Sequence, residues 1–301
     1  MRDRPLALAA LFAGAVAIAA SPLFVRVSEA GPVSTAFWRV FLALPVLVAW
    51  TIFAAPDGKT GAGTTAERQH LALAGFYFAG DLAVWHWSIV LTTVATATLL
   101  ANLAPIFVTL AVWLLYRQRP ALRFVSGLAL AVAGVALLVG ADLQVSSRVL
   151  AGDALGVLTA MFYAGYQLTV TRLRRTTSTA RIMAWSGVVT AALLLPLALA
   201  SGEQFLPVTA AGWLKLVALA LIAQAAGQSL IAYAMAHLPP RLSSVGLLLQ
   251  PVMAALFAWM LLGETLGAAQ FVGALMVLIG IRVAHQAETR GTGFSVPGTL
   301  R

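Results

Sequence analysis

The chain has 301 residues, of which 61% are hydrophobic and 10% charged, and its formal net charge is +9. Soluble domains carry roughly 25% charged residues, so this composition excludes an ordinary soluble protein and predicts a polytopic membrane protein whose surroundings are the lipid bilayer. The absence of cysteine excludes disulfides, thiol catalysis and cysteine-ligated metals.

Ten apolar segments are long enough to cross a hydrocarbon core of about 30 Å at about 1.5 Å per residue. They run over roughly 5–26, 33–54, 70–90, 96–116, 121–141, 153–172, 181–201, 212–236, 243–263 and 267–286. Each is expected to be helical, because lipid leaves exposed backbone groups unsatisfied. The first segment follows Arg2 and Arg4. It exceeds the roughly 7–15 apolar residues of a cleaved signal, so it reads as a retained helix. Turn signals at Pro56-Asp57-Gly58 and Gly61-Ala62-Gly63 mark the longest loop.

A shift of 146 residues aligns the chain with itself. Thr98 falls on Ser244, Leu103 on Leu249, Pro105 on Pro251, Trp113 on Trp259, Gly127 on Gly273 and Gly134 on Gly280, without a gap. The expected fold is therefore all-α, with ten transmembrane helices in two inverted five-helix repeats. The first repeat covers 1–141, a linker 142–152, the second repeat 153–286 and a flexible tail 287–301.

Placing the N-terminus in the cytoplasm puts fifteen Lys and Arg on the inner side and three on the outer. Both termini are then cytoplasmic, and a bacterial inner membrane is expected. The basic charge is thus topological, and no nucleic-acid partner is expected. An odd number of helices per repeat forces the second repeat to enter from the opposite side. The loop at Tyr116-Arg117-Gln118-Arg119 is basic, whereas its equivalent, Leu262-Gly263-Glu264-Thr265, is not.

Ionisable groups inside a bilayer are costly, about 2.5–3.5 kcal/mol on insertion scales, and so mark candidate sites. Taken along the chain, Arg39 in the second segment would bind a substrate carboxylate, snorkel outward or pair within the bundle. In the third segment, Tyr77, Asp81 and Trp85 follow at i, i+4 and i+8 on one face. Asp81 would bind an ammonium or a coupling proton, or else form a structural pair with Arg39. His86, between Trp85 and Trp87, is either a proton site or an element of the interfacial aromatic belt.

Thr98 and Asn102 precede Pro105 in the fourth segment. The sixth carries Thr159, Tyr163, Tyr166 and Gln167 on one broad face, and the eighth Gln224 and Gln228 at i and i+4. Such polar stripes face inward, as interhelical glue or as a cavity wall. Pro105 and Pro251 occupy equivalent positions and predict paired breaks usable as hinges around a central site. Gly152, Gly156, Ala160 and Ala164 form a small-residue stripe suited to close helix packing or, alternatively, to a dimer interface. No oligomer is required, and a monomer is compatible with the pattern.

The second repeat reads Ala232-Tyr233-Ala234-Met235, Pro239, Gln250-Pro251-Val252, Trp259, Leu261-Leu262-Gly263-Glu264-Thr265, Gln270-Phe271-Val272-Gly273 and Gly280. The first contains Gly31-Pro32, Phe37-Trp38-Arg39 and Asn102-Leu103-Ala104-Pro105. Together these resemble the EamA family of the drug/metabolite transporter superfamily over nearly the whole chain. Within it the chain looks most like the YddG-type amino-acid exporters. One departure is Gln118, where the family carries a glutamate. The resemblance implies a secondary transporter or facilitator that exports small metabolites, amino acids first, by alternating access, without a cofactor.

Asp81, Arg39 and the aromatic residues suit a zwitterion or neutral aromatic solute; a polyanion would want several buried cations. Efflux of lipophilic cations is the alternative. No HExxH, GxSxG or phosphate-binding loop occurs, so neither an enzyme nor a primary pump is expected. Asp81 and His86 are the one candidate catalytic pair, and their five-residue spacing turns them about 140° apart on a helix. A scaffold would not need matched prolines.

Overall fold

The computed structural model describes residues 3–53, 63–91, 94–139, 146–263 and 267–290. These form ten helical rods in chain order. The first five are α1 (Asp3–Ala19, continued by Ser21–Arg26), α2 (Pro32–Phe41 and Leu44–Phe53), α3 (Thr65–Leu91), α4 (Val94–Ala101 and Ala104–Tyr116) and α5 (Leu122–Val139). The second five are α6 (Ser147–Leu173), α7 (Thr179–Ala200), α8 (Ala210–Ala234 in three parts), α9 (Pro240–Gly246 and Leu249–Leu262) and α10 (Ala268–Arg290).

Among the described residues, eight rods are long and apolar enough to cross a membrane, and α5 is a shorter apolar helix. The remaining rod, α3, has 27 residues but carries Asp81 and His86, which lower its apolarity. Packing on both sides by α6 and α7 shields it.

The inverted relation is visible where α5 meets α10, the most extensive helix pair among the described residues. Gly127 lies against Gly280 and Ala284, while Gly134 lies against Gly273 and Val277. As α5 advances from 127 to 134, α10 runs back from 280 to 273, so the two cross antiparallel. Each repeat's first glycine meets the other repeat's second, as a pseudo-twofold axis requires.

The paired breaks differ in detail from simple proline kinks. In α4 the helix is interrupted at Asn102 and Leu103, and Pro105 sits in the first turn of the second piece. In α9 the interruption falls at Leu247 and Leu248, and Pro251 again sits in the first turn that follows. Proline fits there because first-turn N–H groups have no intrahelical acceptor. The α8 rod has a nine-residue π-helical centre, Ala220–Gln228, which no sequence signal predicted.

The small-residue stripe of α6 is used inside the chain. A Cβ on Gly156 would stand 2.8 Å from the Leu100 side chain. Ser88 donates to the Gly152 carbonyl at 2.7 Å, and Ala160 and Ala164 are buried.

Several boundaries move. The linker expected at 142–152 is already helical from Ser147, where Ser146 Oγ accepts from Val149 N at 3.2 Å; positions 142–145 lie outside the described residues. The tail expected to be flexible from 287 continues α10 as far as Arg290, and 291–301 lie outside the described residues. So do Pro56-Asp57-Gly58, Gly61, Ala62, Glu264 and Thr265.

Two sets of polar contacts tie the repeats together, one at each end of the bundle. At the arginine-poor end, Gly31 N donates to Gln204 O at 2.9 Å and Val33 N to Glu203 Oε2 at 3.0 Å. Trp38 Nε1 donates to Phe205 O at 2.8 Å. At the other end, buried Glu67 pairs with Arg181 at 3.2 Å and accepts from Thr177 Oγ1 and from Gly63 N. The first set joins the α1–α2 and α7–α8 turns. The second joins the α2–α3 and α6–α7 turns, the pseudo-symmetric equivalents.

Glu29 completes the first set. Its carboxylate accepts from Thr209 Oγ1, from Thr209 N at 2.9 Å and from Val208 N at 3.0 Å. The Thr209 hydroxyl, then the backbone N–H groups, hold the acid below its ordinary value of 4.5. A depressed carboxylate stabilises the folded state above its unfolded value and loses that contribution as pH falls through the folded value. Hydrogen-exchange protection of Val208 and Thr209 should therefore fall below about pH 4.5. In Glu29→Gln it should already be low at pH 7. Equal protection in both proteins at pH 7 would contradict this role.

Candidate functional site

A cavity of about 170 Å³ opens in the arginine-poor half of the bundle, walled by α1, α2, α3, α4, α6, α8 and α9. A water needs roughly 10–15 Å³ of such volume, so the space accepts on the order of ten waters or one small metabolite.

Two opposite charges meet here. Arg39, buried at 9% exposure, enters from the last turn of the first α2 segment, and Asp81 from the middle of α3. Both line the same space, and no contact ion pair between them is present among the described residues. Of the two alternatives for Asp81, a structural pair with Arg39 is not seen as a contact; the two residues line one space. Arg39 Nε has no hydrogen-bond partner. Tyr163, from α6, and Gln250, from α9, line the same space.

The remaining wall mixes aromatic and amide groups. Trp85 and Phe78 supply flat apolar surface, and Thr98, Asn102, Thr159, Gln228 and Gln250 supply polar atoms. Asn102 Nδ2 donates to Thr98 O at 2.8 Å, tying the side chain to the α4 break. Gln228 Oε1 and Gln250 Nε2 are buried without partners. Buried amide atoms left unpaired are rare and costly; here one acceptor and one donor stand unpaired on residues of the cavity wall.

His86 lines the cavity at 2% exposure. Its Nδ1 bonds the Leu82 carbonyl, and its Nε2 has no partner. Trp85 packs edge-on against it at 5.0 Å. Only Trp87 of this trio is exposed, at 44%, so His86 points inward and not into an interfacial belt.

Five residues singled out by the sequence lie off the cavity wall. Tyr77 fills the α3–α6 seam against Phe162 and Gly165. Tyr166 lies behind Tyr163 and is fully packed: it stacks on Phe78 at 4.9 Å, and its hydroxyl meets Met183 Sδ at 3.8 Å. Gln167 is buried one turn beyond Tyr163, with both amide atoms unpartnered. Gln224 is buried in the π segment. Pro105 is buried in α4, whereas its counterpart Pro251 does line the cavity. Sequence reasoning passed over Gln250 and Phe78 as site residues. Gln250 was findable as a lone amide beside Pro251 in an apolar run.

Comparison with known proteins follows the same architecture. The profile of the EamA-like transporter family matches residues 5–140 and again 150–284. A protein of Archaeoglobus fulgidus described as an uncharacterized transporter is 27% identical over 274 residues, covering 87% of this chain and 91% of its own. A second uncharacterized transporter from that organism is 26% identical over 278 residues, covering 92% and 95%. A solved structure, titled only as the crystal structure of a protein, superposes with a TM-score of 0.81 at 20% identity. It covers 96% of this chain and all of that one, and so shares the fold.

Proposed function

We propose that this chain, which belongs to the EamA-like transporter family, exports small zwitterionic metabolites, amino acids foremost, by alternating access through the cavity between Arg39 and Asp81. The observation that carries this reading is the separation of the two charges around one space. A solute bearing both an ammonium and a carboxylate satisfies both, and neither charge is already spent on the other. Trp85, Phe78 and Tyr163 offer apolar and cation–π surface to a side chain. Gln228, Gln250 and Asn102 add directional polar contacts.

The site-lining role extends to Thr98 and His86. Pro105 and Pro251, each opening the second piece of a broken helix, are the proposed hinges. Tyr77, Tyr166, Gln167 and Gln224 are assigned to the packing that backs the wall. The charge distribution of the loops supports an inner-membrane protein with both termini cytoplasmic. On that placement the cavity lies in the outer half.

Purified protein in liposomes loaded with a radiolabelled amino-acid mixture tests the assignment. Efflux above that of protein-free liposomes is expected, and its response to an imposed pH gradient reports proton coupling. Folded, reconstituted protein that releases a lipophilic cation but no amino acid would replace this reading with cation efflux.

A further inference from the structure

A second pocket, of about 360 Å³, lies at the opposite, arginine-rich end. It is bounded by the ends of α4 and α6 and the turn between α8 and α9, and it shares no residue with the cavity above. Three arginines line it. Arg241 is engaged: it pairs with Glu288 at 3.4 Å and donates to Gln118 O at 3.1 Å. That pairing also neutralises the acid in the wall. Arg172 and Arg175 are different. Both are exposed, both line the pocket, and neither guanidinium has an ion pair or hydrogen bond among the described residues.

Loop arginines at this end are expected from topology, and cations near a helix C-terminus are favourable. Those rules explain the charges but not the concavity between them or its floor, where Val112, Leu168 and Met235 are apolar. We propose that this pocket binds a phosphate-bearing anion, held by the Arg172 and Arg175 guanidiniums. Guanidinium forks match tetrahedral oxyanions. Basic pockets between transmembrane helices are a known form of lipid headgroup recognition. The apolar floor beneath a charged rim fits the headgroup and glycerol of an anionic phospholipid better than a bare ion. Free phosphate shares the recognising chemistry and is the competing source. The site is independent of what the central cavity carries.

The test uses full-length protein in a neutral, lipid-free detergent, titrated with phosphatidylglycerol, phosphatidylcholine or inorganic phosphate at constant ionic strength. Bound lipid is read by native mass spectrometry. Phosphatidylglycerol should bind in preference to phosphatidylcholine, and R172Q/R175Q should weaken it at least about tenfold. R172K/R175K, which keeps the charge but loses the fork, should recover only part of the binding, and R119Q, outside the pocket, should change nothing. Displacement of phosphatidylglycerol by millimolar phosphate would identify a free anion as a second source. It would also support the site on unsubstituted protein if the double variant failed to fold. Equal binding of the two lipids, or unchanged phosphatidylglycerol binding in R172Q/R175Q, would overturn the proposal.

Discussion

Asp81→Asn should cut amino-acid transport by about 10- to 150-fold while leaving the fold intact. The estimate follows from losing a hydrogen bond to a charged group, about 1.5–3 kcal/mol. Asparagine keeps the shape and removes only the charge, so the thermal midpoint in detergent should be close to that of the parent. The loss should fall mainly on KM if Asp81 holds the ammonium of bound substrate. A carboxylate needed only as a structural counter-charge would behave differently. Its removal would leave Arg39 buried and unpaired, lowering the thermal midpoint and transport together. Transport at the parental rate would exclude Asp81 from the binding site.

Gly280→Ala should destabilise the bundle by about 1–3 kcal/mol, the cost of overpacking a tight contact. The added Cβ would stand 2.6 Å from Ala131 N and from Gly127 O. Both atoms are backbone, so no side chain can turn aside; α5 and α10 must separate. In lipid, where close packing is itself the main attraction between helices, that separation is felt directly. Gly267→Ala is the matched control, because its Cβ would meet only Gln270 Oε1 at 3.8 Å. Thermal unfolding followed by circular dichroism should show a clear drop for the first and little for the second. Equal midpoints would contradict the close contact across the pseudo-twofold axis.

Those glycines also show how much of the fold was legible in the sequence. A constant offset of 146 residues identified the equivalent positions, and the odd helix count with the loop charges gave the inverted sense. Antiparallel contact of Gly127 with Gly280 and of Gly134 with Gly273 is what that pattern implies once folded. The π segment was not legible. Its sequence, Ala220 to Gln228, contains no proline and no polar interruption beyond its two glutamines. The wide turns occur where α8 meets α1; a Cβ on Gly14 would stand 2.8 Å from the Gly227 carbonyl. Tertiary packing, not local propensity, sets that geometry.

The candidate site was legible in part for a similar reason. Intramembrane charge singled out Arg39 and Asp81, and the helical period brought Trp85 onto the same wall. The same period misplaced Tyr77. Each four-residue step overshoots a full turn by about 40°, so Tyr77 and Trp85 stand about 80° apart around α3. One faces the cavity and the other the α6 seam. In α6 the polar face is broad enough to hold Tyr163 on the wall and Tyr166 behind it, a division that depends on Phe78 of α3 stacking on Tyr166. A single sequence contains no record of that neighbour.

On the proposed function, one solute addresses Arg39 and Asp81 together. The most direct measurement is counterflow in proteoliposomes with three molecules of one shape: leucine, leucinamide and 4-methylpentanoate. They carry both charges, the ammonium alone and the carboxylate alone. Leucine should exchange at least about tenfold faster than either single-charge analogue, the worth of one charge-assisted contact. Leucinamide exchanging as fast as leucine would contradict recognition of the carboxylate, because Arg39 would then play no part in it.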